Sequence, residues 1–100
     1  MLYVILGHDG PNGLAGRKSV RPAHLDYLRA LQNQGRLVLA GPRPKVEAST
    51  AVEAGFYGSL IIAEFVNLAA ARAWAEQDPY FTAGVFERVD VQPFVQALPA

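Results

Sequence analysis

Two histidines, His8 and His24, are the side chains of this 100-residue sequence best suited to move a proton near neutral pH. His24 closely follows Arg21 and Pro22 and precedes Leu28 by four residues, which predicts a place in the first turn of a helix, beside its apolar stripe. There the positive end of the helix dipole and partial burial both disfavour the imidazolium. The spacing is compatible with a neutral imidazole that accepts a proton, and also with a histidine that only packs at a helix edge.

Asp78 is the acidic residue with the clearest possible role beside an imidazole. As part of Asp78-Pro79-Tyr80 it has the composition of an ordinary helix cap followed by a first-turn proline. If the fold brings it to His24, its carboxylate would orient the ring, fix the tautomer and raise the basicity of the other nitrogen. The spacing in the sequence does not decide between these two interpretations.

Two arginines, Arg17 and Arg21, lie beside the N-terminus of the predicted helix and have the chemistry to hold a carboxylate or phenolate. Solvation, or pairing with Asp9 or Asp26, explains them equally well. His8 and Asp9 end the first predicted strand, where each is either a pocket residue or a turn residue; the second role is favoured for Asp9.

Several other chemistries lack support. The sequence has no cysteine, which excludes disulfides, zinc–thiolate sites and a cysteine nucleophile. Two histidines and scattered carboxylates show no metal-ligand spacing. Gly7, Gly10 and Gly13 do not match a dinucleotide fingerprint, because no helix is predicted to follow them at once. Gly58-Ser59 is not a nucleophile elbow. We therefore expect no metal and no cofactor.

Charge and hydropathy narrow the range of partners. Nine Lys and Arg residues balance nine Asp and Glu residues, with no basic stripe, so neither nucleic acid nor a membrane surface is an expected partner. No apolar run approaches the length of a membrane span. The first residues resemble a strand rather than a signal peptide. Together with the length of the chain, these features predict one cytoplasmic domain over residues 1–100.

The strand and helix signals alternate in a familiar order. Strand-forming runs cover four segments: Leu2–Leu6, Leu37–Ala40, Ser59–Phe65 and Val85–Val91. Helical spacing covers Arg21–Gln34 and Leu68–Gln77, with one further turn over Asp78–Gly84, while Asp9–Val20 and Lys45–Gly55 are predicted loops. The order predicts an α+β, ferredoxin-like βαββαβ domain with a four-stranded antiparallel sheet. In that topology the first and third strands are central, and both helices cover one face.

Both presumed central strands are apolar on both faces, as in Leu2–Leu6 and Leu60–Phe65. A sheet covered by helices on one face only should alternate between apolar and polar residues. The pattern favours a homodimer in which a second copy's sheet covers the bare face. A loop or the C-terminal tail is the alternative cover.

Five short motifs occur in order along almost the whole chain: Arg21-Pro22-Ala23-His24-Leu25, Gly35-Arg36-Leu37, Ala40-Gly41-Pro42, Ala63-Glu64-Phe65, and Asp78-Pro79-Tyr80 with Gly84. Together they resemble the YciI-like (YCII-related) family. The resemblance implies a dimeric α/β barrel similar to muconolactone isomerase, and an active site built on a histidine–aspartate pair.

By matched position, the resemblance assigns that pair to His24 and Asp78. It also implies a cleft lined by Asp9, Arg17, Arg21 and Tyr80. One known relative is a chlorohydroxyhydroquinone dehydrochlorinase, so lyase or isomerase chemistry is the nearest analogy.

The leading hypothesis is a cofactor-free lyase or isomerase acting on a small anionic ring or lactone-like metabolite. His24 would transfer the proton, Asp78 would hold the imidazolium, and Arg17 or Arg21 would balance the substrate's charge. The first alternative is a non-catalytic ligand-binding dimer with a stress or regulatory role. A purely structural assembly module, which binds no small molecule, is the second.

Overall fold

The computed structural model describes residues 1–47 and 51–100, with side chains described for residues 1–47 and 53–100. Along this part of the chain the elements are β1 (Leu2–Asp9), α1 (Gly13–Asn33), β2 (Leu37–Pro44), α2 (Ala51–Ala54), β3 (Phe56–Glu64), α3 (Leu68–Glu76), α4 (Pro79–Thr82) and β4 (Phe86–Phe94). No helix among the described residues combines the length and the hydropathy needed to cross a membrane.

The strands form one four-stranded sheet in the order β2-β3-β1-β4. Each neighbouring pair is antiparallel, and β1 lies between β3 and β4, with Ile5 opposite both Ile61 and Val91. The ferredoxin-like prediction is thereby confirmed, including the central position of the first and third strands.

The hydrophobic core lies between this sheet and the two long helices. Tyr3 and Ile5 of β1 pack in one cluster with Leu28 and Leu31 of α1. From the other helix the cluster receives small residues such as Ala71, which is fully buried, so α3 approaches the strands closely. Burial of this apolar surface, at about 25 cal/mol per Å², fixes the positions of both helices on the sheet.

Helix α1 begins at Gly13, where the sequence predicts a loop, so the predicted start at Arg21 is wrong. Glycine costs about 1 kcal/mol in a helix relative to alanine, which is why this segment resembles a loop. Tertiary packing explains the choice of residue. A Cβ at Gly16 would lie 2.7 Å from a methyl carbon of Val85, and one at Gly13 would lie 2.7 Å from the Asp9 carboxylate. Only glycine lets the helix lie this close to the end of the sheet.

Pro22 consequently lies inside α1 rather than in its first turn. Its ring removes one internal hydrogen bond, the one to the carbonyl of Lys18, and both residues are exposed. His24 is likewise in the middle of the helix, so the expected influence of the helix dipole on its charge is wrong, because that influence fades beyond the first turn.

The strands are longer than predicted, and β2 and β3 extend over Leu37–Pro44 and Phe56–Glu64. The predicted loop Lys45–Gly55 contains the single helical turn α2, and its residues 48–50 lie outside the described part of the chain.

The second face of the sheet carries half-buried or buried apolar side chains, and no helix in the described part of the chain lies over them. Val4 and Leu6 of β1 lie there beside Ile62 and Leu60 of β3, which are their register partners. The C-terminal tail was one alternative cover. Its apolar side chains are exposed, however, with Leu98 at 80% of its full accessibility. The tail therefore does not bury this face.

Candidate active site

His24 and Asp78 meet where the middle of α1 crosses the start of α4. The Nδ1–H of His24 donates a hydrogen bond of 2.8 Å to Asp78 Oδ1, and both side chains are buried, at 7% and 2% of full exposure. The same Oδ1 accepts the backbone N–H of Tyr80 at 2.9 Å, which is the helix cap expected of Asp78. The two roles that the sequence left open are thus performed by one oxygen atom.

Aromatic rings hold the imidazole plane in place. The ring of Tyr80 is stacked on His24, with centroids 3.8 Å apart and planes 7° from parallel. Phe86 presents an edge to the same ring from 6.4 Å. With Nδ1 bonded to Asp78 and the ring clamped in this way, Nε2 is the nitrogen of His24 left for a ligand.

Arg17 is a buried cation that is already neutralised. Its Nε and Nη2 donate to the two oxygens of Asp9 at 2.7 and 2.9 Å, a bidentate pair. Nη2 also donates to Ser59 Oγ at 2.9 Å. The guanidinium lies over the ring of Phe56, 4.7 Å from its centroid. Asp9 therefore positions Arg17 and cancels its charge.

A cavity of about 190 Å³ opens beside His24, between α1 and β2. Helix α1 supplies half of the lining from residues that recur at helical spacing: Arg17, Arg21, His24, Leu25 and Leu28. Pro42, Ser59 and Tyr80 are among the residues that complete the wall. Among the residues predicted for a cleft, Arg17, Arg21, His24 and Tyr80 are therefore brought together.

Two predicted ligand-binding residues are placed differently. Asp9 does not line the cavity and acts through Arg17. His8 faces the opposite side of the sheet, where its Nε2–H donates to Asp90 at 2.8 Å, so its predicted role in the cleft is wrong. The reason is the two-residue alternation of β1, because His8 shares its side with Val4 and Leu6 while Ile5 points to the helices.

Ser59 was missed as a ligand-binding candidate. It is 3% exposed and lines the cavity, and its oxygen accepts a hydrogen bond from Arg17. Across residues 1–47 and 51–100 its own hydroxyl proton meets no acceptor, so the O–H remains available as a donor to a bound molecule. Alternation could have revealed it, since Ser59 is the polar member of a buried series continued by Ile61 and Ala63.

Tyr80 adds a hydroxyl that stays protonated. Burial raises the pKa of this phenol above its ordinary value, against the lowering effect of the charges on Arg17 and Arg21. Near neutral pH the phenol is therefore a hydrogen-bond donor rather than a phenolate. In the part of the chain that the structure describes, no three metal-ligating side chains lie close enough to hold a metal ion.

Comparison with known proteins gives the family. The profile of the YCII-related domain matches residues 1–95. Protein YciI of Escherichia coli O6:H1 is 54% identical over 94 residues, covering 94% of this chain and 96% of that protein. An uncharacterized protein of Haemophilus influenzae is 51% identical with the same coverage. The chain therefore belongs to the YCII-related family, as its motifs indicated.

One similar solved structure carries a ligand. The 5-chloro-2-hydroxyhydroquinone dehydrochlorinase of Burkholderia phenoliruptrix, in complex with 2,5-dihydroxybenzoquinone, is 28% identical and superposes with a TM-score of 0.82. The match covers 95% of this chain and 94% of that chain. This relative has the same fold, and it is an enzyme.

Proposed function

We propose that this protein is a cofactor-free enzyme of the lyase or isomerase type, in which His24 and Asp78 transfer a proton to or from a small anionic ring. The observation that carries the proposal is the buried hydrogen bond of 2.8 Å between these side chains, at the wall of a cavity of ring size. A buried, oriented imidazole beside a cavity is the arrangement that general acid–base catalysis requires.

The proton step follows from the hydrogen-bond pattern. Nδ1–H is committed to Asp78, so Nε2 of His24 is the base and accepts a proton from a ring hydroxyl or an acidic ring C–H. The resulting imidazolium carries a positive charge directly beside the Asp78 carboxylate, which stabilises it. When the proton returns to another atom the result is isomerisation, and when an anion departs the result is elimination. A positioned base of this kind typically contributes about 10²–10⁴-fold to the rate.

The remaining groups around the cavity suit an oxygen-rich substrate. Arg21 supplies a positive charge for a phenolate or carboxylate. The hydroxyl groups of Ser59 and Tyr80 are donors for a carbonyl or enolate oxygen whose negative charge grows during the reaction. Arg17, already neutralised by Asp9, strengthens the Ser59 donor rather than adding net charge.

The dehydrochlorinase relative supports this choice of substrate class. Dehydrochlorination is the loss of a proton and a chloride ion, and the ligand bound to that relative is a hydroxylated quinone ring. A base and a place for an anionic ring are sufficient for such a step. For this protein we therefore infer hydroxylated or quinonoid six-membered rings, or lactones of similar size, as the substrate class.

The test combines binding and turnover with a matched histidine control. Wild type, His24→Asn and His8→Asn are incubated with chlorinated and unchlorinated hydroxyhydroquinones and small unsaturated lactones, and products are followed by mass spectrometry. We expect turnover of at least one ring by wild type and by His8→Asn, and a loss of about 10²–10⁴-fold in His24→Asn. Equal turnover in all three proteins would contradict the proposal. Tight binding without any conversion would favour the non-catalytic ligand-binding alternative.

We further propose that the protein is a homodimer formed through the bare face of the sheet. The apolar residues Val4, Leu6, Leu60 and Ile62 on that face support the proposal. A charge at the centre of such an interface is costly, so Leu6→Asp should halve the mass measured by light scattering. Ala73→Asp, on the exposed side of α3, should leave the mass unchanged. A monomeric wild type at micromolar concentration would refute the dimer.

A further inference from the structure

A second cavity of about 290 Å³ adjoins the first at the N-terminal end of α1. The two share Arg17, Arg21, Pro42 and Tyr80, and we name them the inner lobe, which contains His24 and Ser59, and the outer lobe, which contains Leu14, Lys18 and Phe56. No step proposed above uses Leu14, Lys18 or Phe56.

The outer lobe has apolar walls and an unbalanced positive charge. Leu14 and Phe56 supply the apolar surface. Lys18 and Arg21 lie one helical turn apart at the exposed rim, and across residues 1–47 and 51–100 neither has a carboxylate within salt-bridge distance. Arg17, in contrast, is neutralised by Asp9. The unpaired charge of Lys18 therefore lies at the outer end of the cleft, and that of Arg21 lies at the boundary between the two lobes.

The volume of the inner lobe also indicates that a larger substrate would extend beyond it. Ligand sites for drug-sized molecules usually measure about 300–1,000 Å³. At about 190 Å³ the inner lobe takes a single ring with its oxygens and little more. A substituent on that ring can extend past the shared boundary at Arg17 and Tyr80 into the outer lobe, or past Leu25 and Ala40 into a third cavity of about 390 Å³. The cation beside that third cavity, Arg29, is paired with Asp26, so only the outer lobe offers unpaired positive charge among the described residues.

We propose that the outer lobe is a binding subsite for a second part of the substrate, a short apolar arm that ends in a carboxylate. This inference rests on the proposed function, because it takes the inner lobe as the place of the reacting ring. The carbon chain of the arm contacts Leu14 and Phe56. Its carboxylate is held by Lys18, with Arg21 at the boundary facing both the ring and the arm, and this charge discriminates charged from neutral arms.

Isothermal titration calorimetry with three probes tests the subsite. Dihydroxybenzoquinone is the ring alone, dihydroxyphenylpropanoate is a ring with an acidic arm, and the corresponding propanamide is the same molecule without the charge. We expect the acid to bind roughly two- to fivefold more tightly than the amide, as for a partly exposed ion pair, with the ratio falling as salt is added.

Lys18→Gln should reduce the acid-to-amide ratio towards one, and Lys18→Glu should reduce it further. Lys45→Gln, a change at the other lysine of the chain, should leave the ratio as in wild type. Lys18 is exposed, so these variants are expected to fold. If the ring binds but the acid and the amide bind equally, the outer subsite is refuted and the inner site stands. If no probe binds, both the subsite and the proposed function are contradicted.

Discussion

Replacing Asp78 separates its structural role from its chemical role. In Asp78→Ala, the buried His24 Nδ1–H and Tyr80 N–H both lose their acceptor. Each unpaired buried donor costs about 1–3 kcal/mol, so the free energy of unfolding should fall by roughly 2–6 kcal/mol. That loss is a large part of the roughly 5–15 kcal/mol that stabilises a typical domain.

In Asp78→Asn, a neutral oxygen remains where Oδ1 was, so both hydrogen bonds survive without charge assistance. The new amide nitrogen takes the position of Oδ2, a buried atom that has no partner among the described residues, so its N–H groups are left without an acceptor. Removal of a buried charge offsets part of the weakening. The expected loss is about 1–3 kcal/mol, smaller than that of Asp78→Ala, or roughly 4–24 °C in Tm for a domain of this size.

Turnover, in contrast to stability, should be strongly reduced even in Asp78→Asn. The imidazolium formed on His24 loses its counter-charge in Asp78→Asn, so kcat should fall by about 10²–10⁴-fold although the protein remains folded. Chemical denaturation and a turnover assay, on the same preparations of both variants, provide the comparison. The reasoning fails if Asp78→Asn retains wild-type kcat, or if it is destabilised as much as Asp78→Ala.

Three other perturbations follow from buried or paired groups. Asp9→Ala leaves the Arg17 guanidinium buried without its partner, so the free energy of unfolding measured with denaturant should fall by about 3–5 kcal/mol. An unchanged denaturation midpoint would contradict the role of the pair. The hydrogen bond from His8 holds the pKa of Asp90 below its ordinary value. The stability difference between wild type and Asp90→Asn should therefore be present above about pH 4 and vanish as the pH falls below the pKa of Asp90 in the folded protein. A difference that persists in acid would argue against the pair. Burial, together with the charge of Asp78, raises the pKa of Tyr27 from 10.0 to about 12, so stability should decline between these two pH values as the unfolded phenol ionises first. In alkaline denaturation curves Tyr27→Phe should make that decline shallower, and an unchanged slope would contradict the raised pKa of Tyr27.

Sequence patterns predicted the topology because each strand and helix has a local signature. Gly35, with φ of +70°, ends α1 as expected of a left-handed cap. Asn67 accepts the N–H of Ala70 and begins α3 as predicted. These contacts lie within a few residues of each other, so local chemistry determines them.

The N-terminal part of α1 could not be predicted in the same way. Local propensity argues against a helix through Gly13 and Gly16, and the compensating contacts come from Asp9 and from Val85, which is distant in the sequence. The pairing of His24 with Asp78 has the same character, since 54 residues separate them and only the completed fold brings them together. Family resemblance indicated that pair, whereas neither spacing nor composition did.

The arrangement of the cleft along α1 has a consequence for how relatives can vary in length. Arg17, Arg21, His24 and Leu28 all belong to one stripe of a single helix. One inserted or deleted residue between Arg17 and His24 would rotate part of this stripe by about 100° around the helix axis and separate the base from the cations. In an alignment of relatives that keep this chemistry, gaps should therefore fall outside the stretch from Arg17 to Leu28. The connection between β2 and β3 is one such place, because a change of length there does not rotate the side chains of α1 that line the cavity.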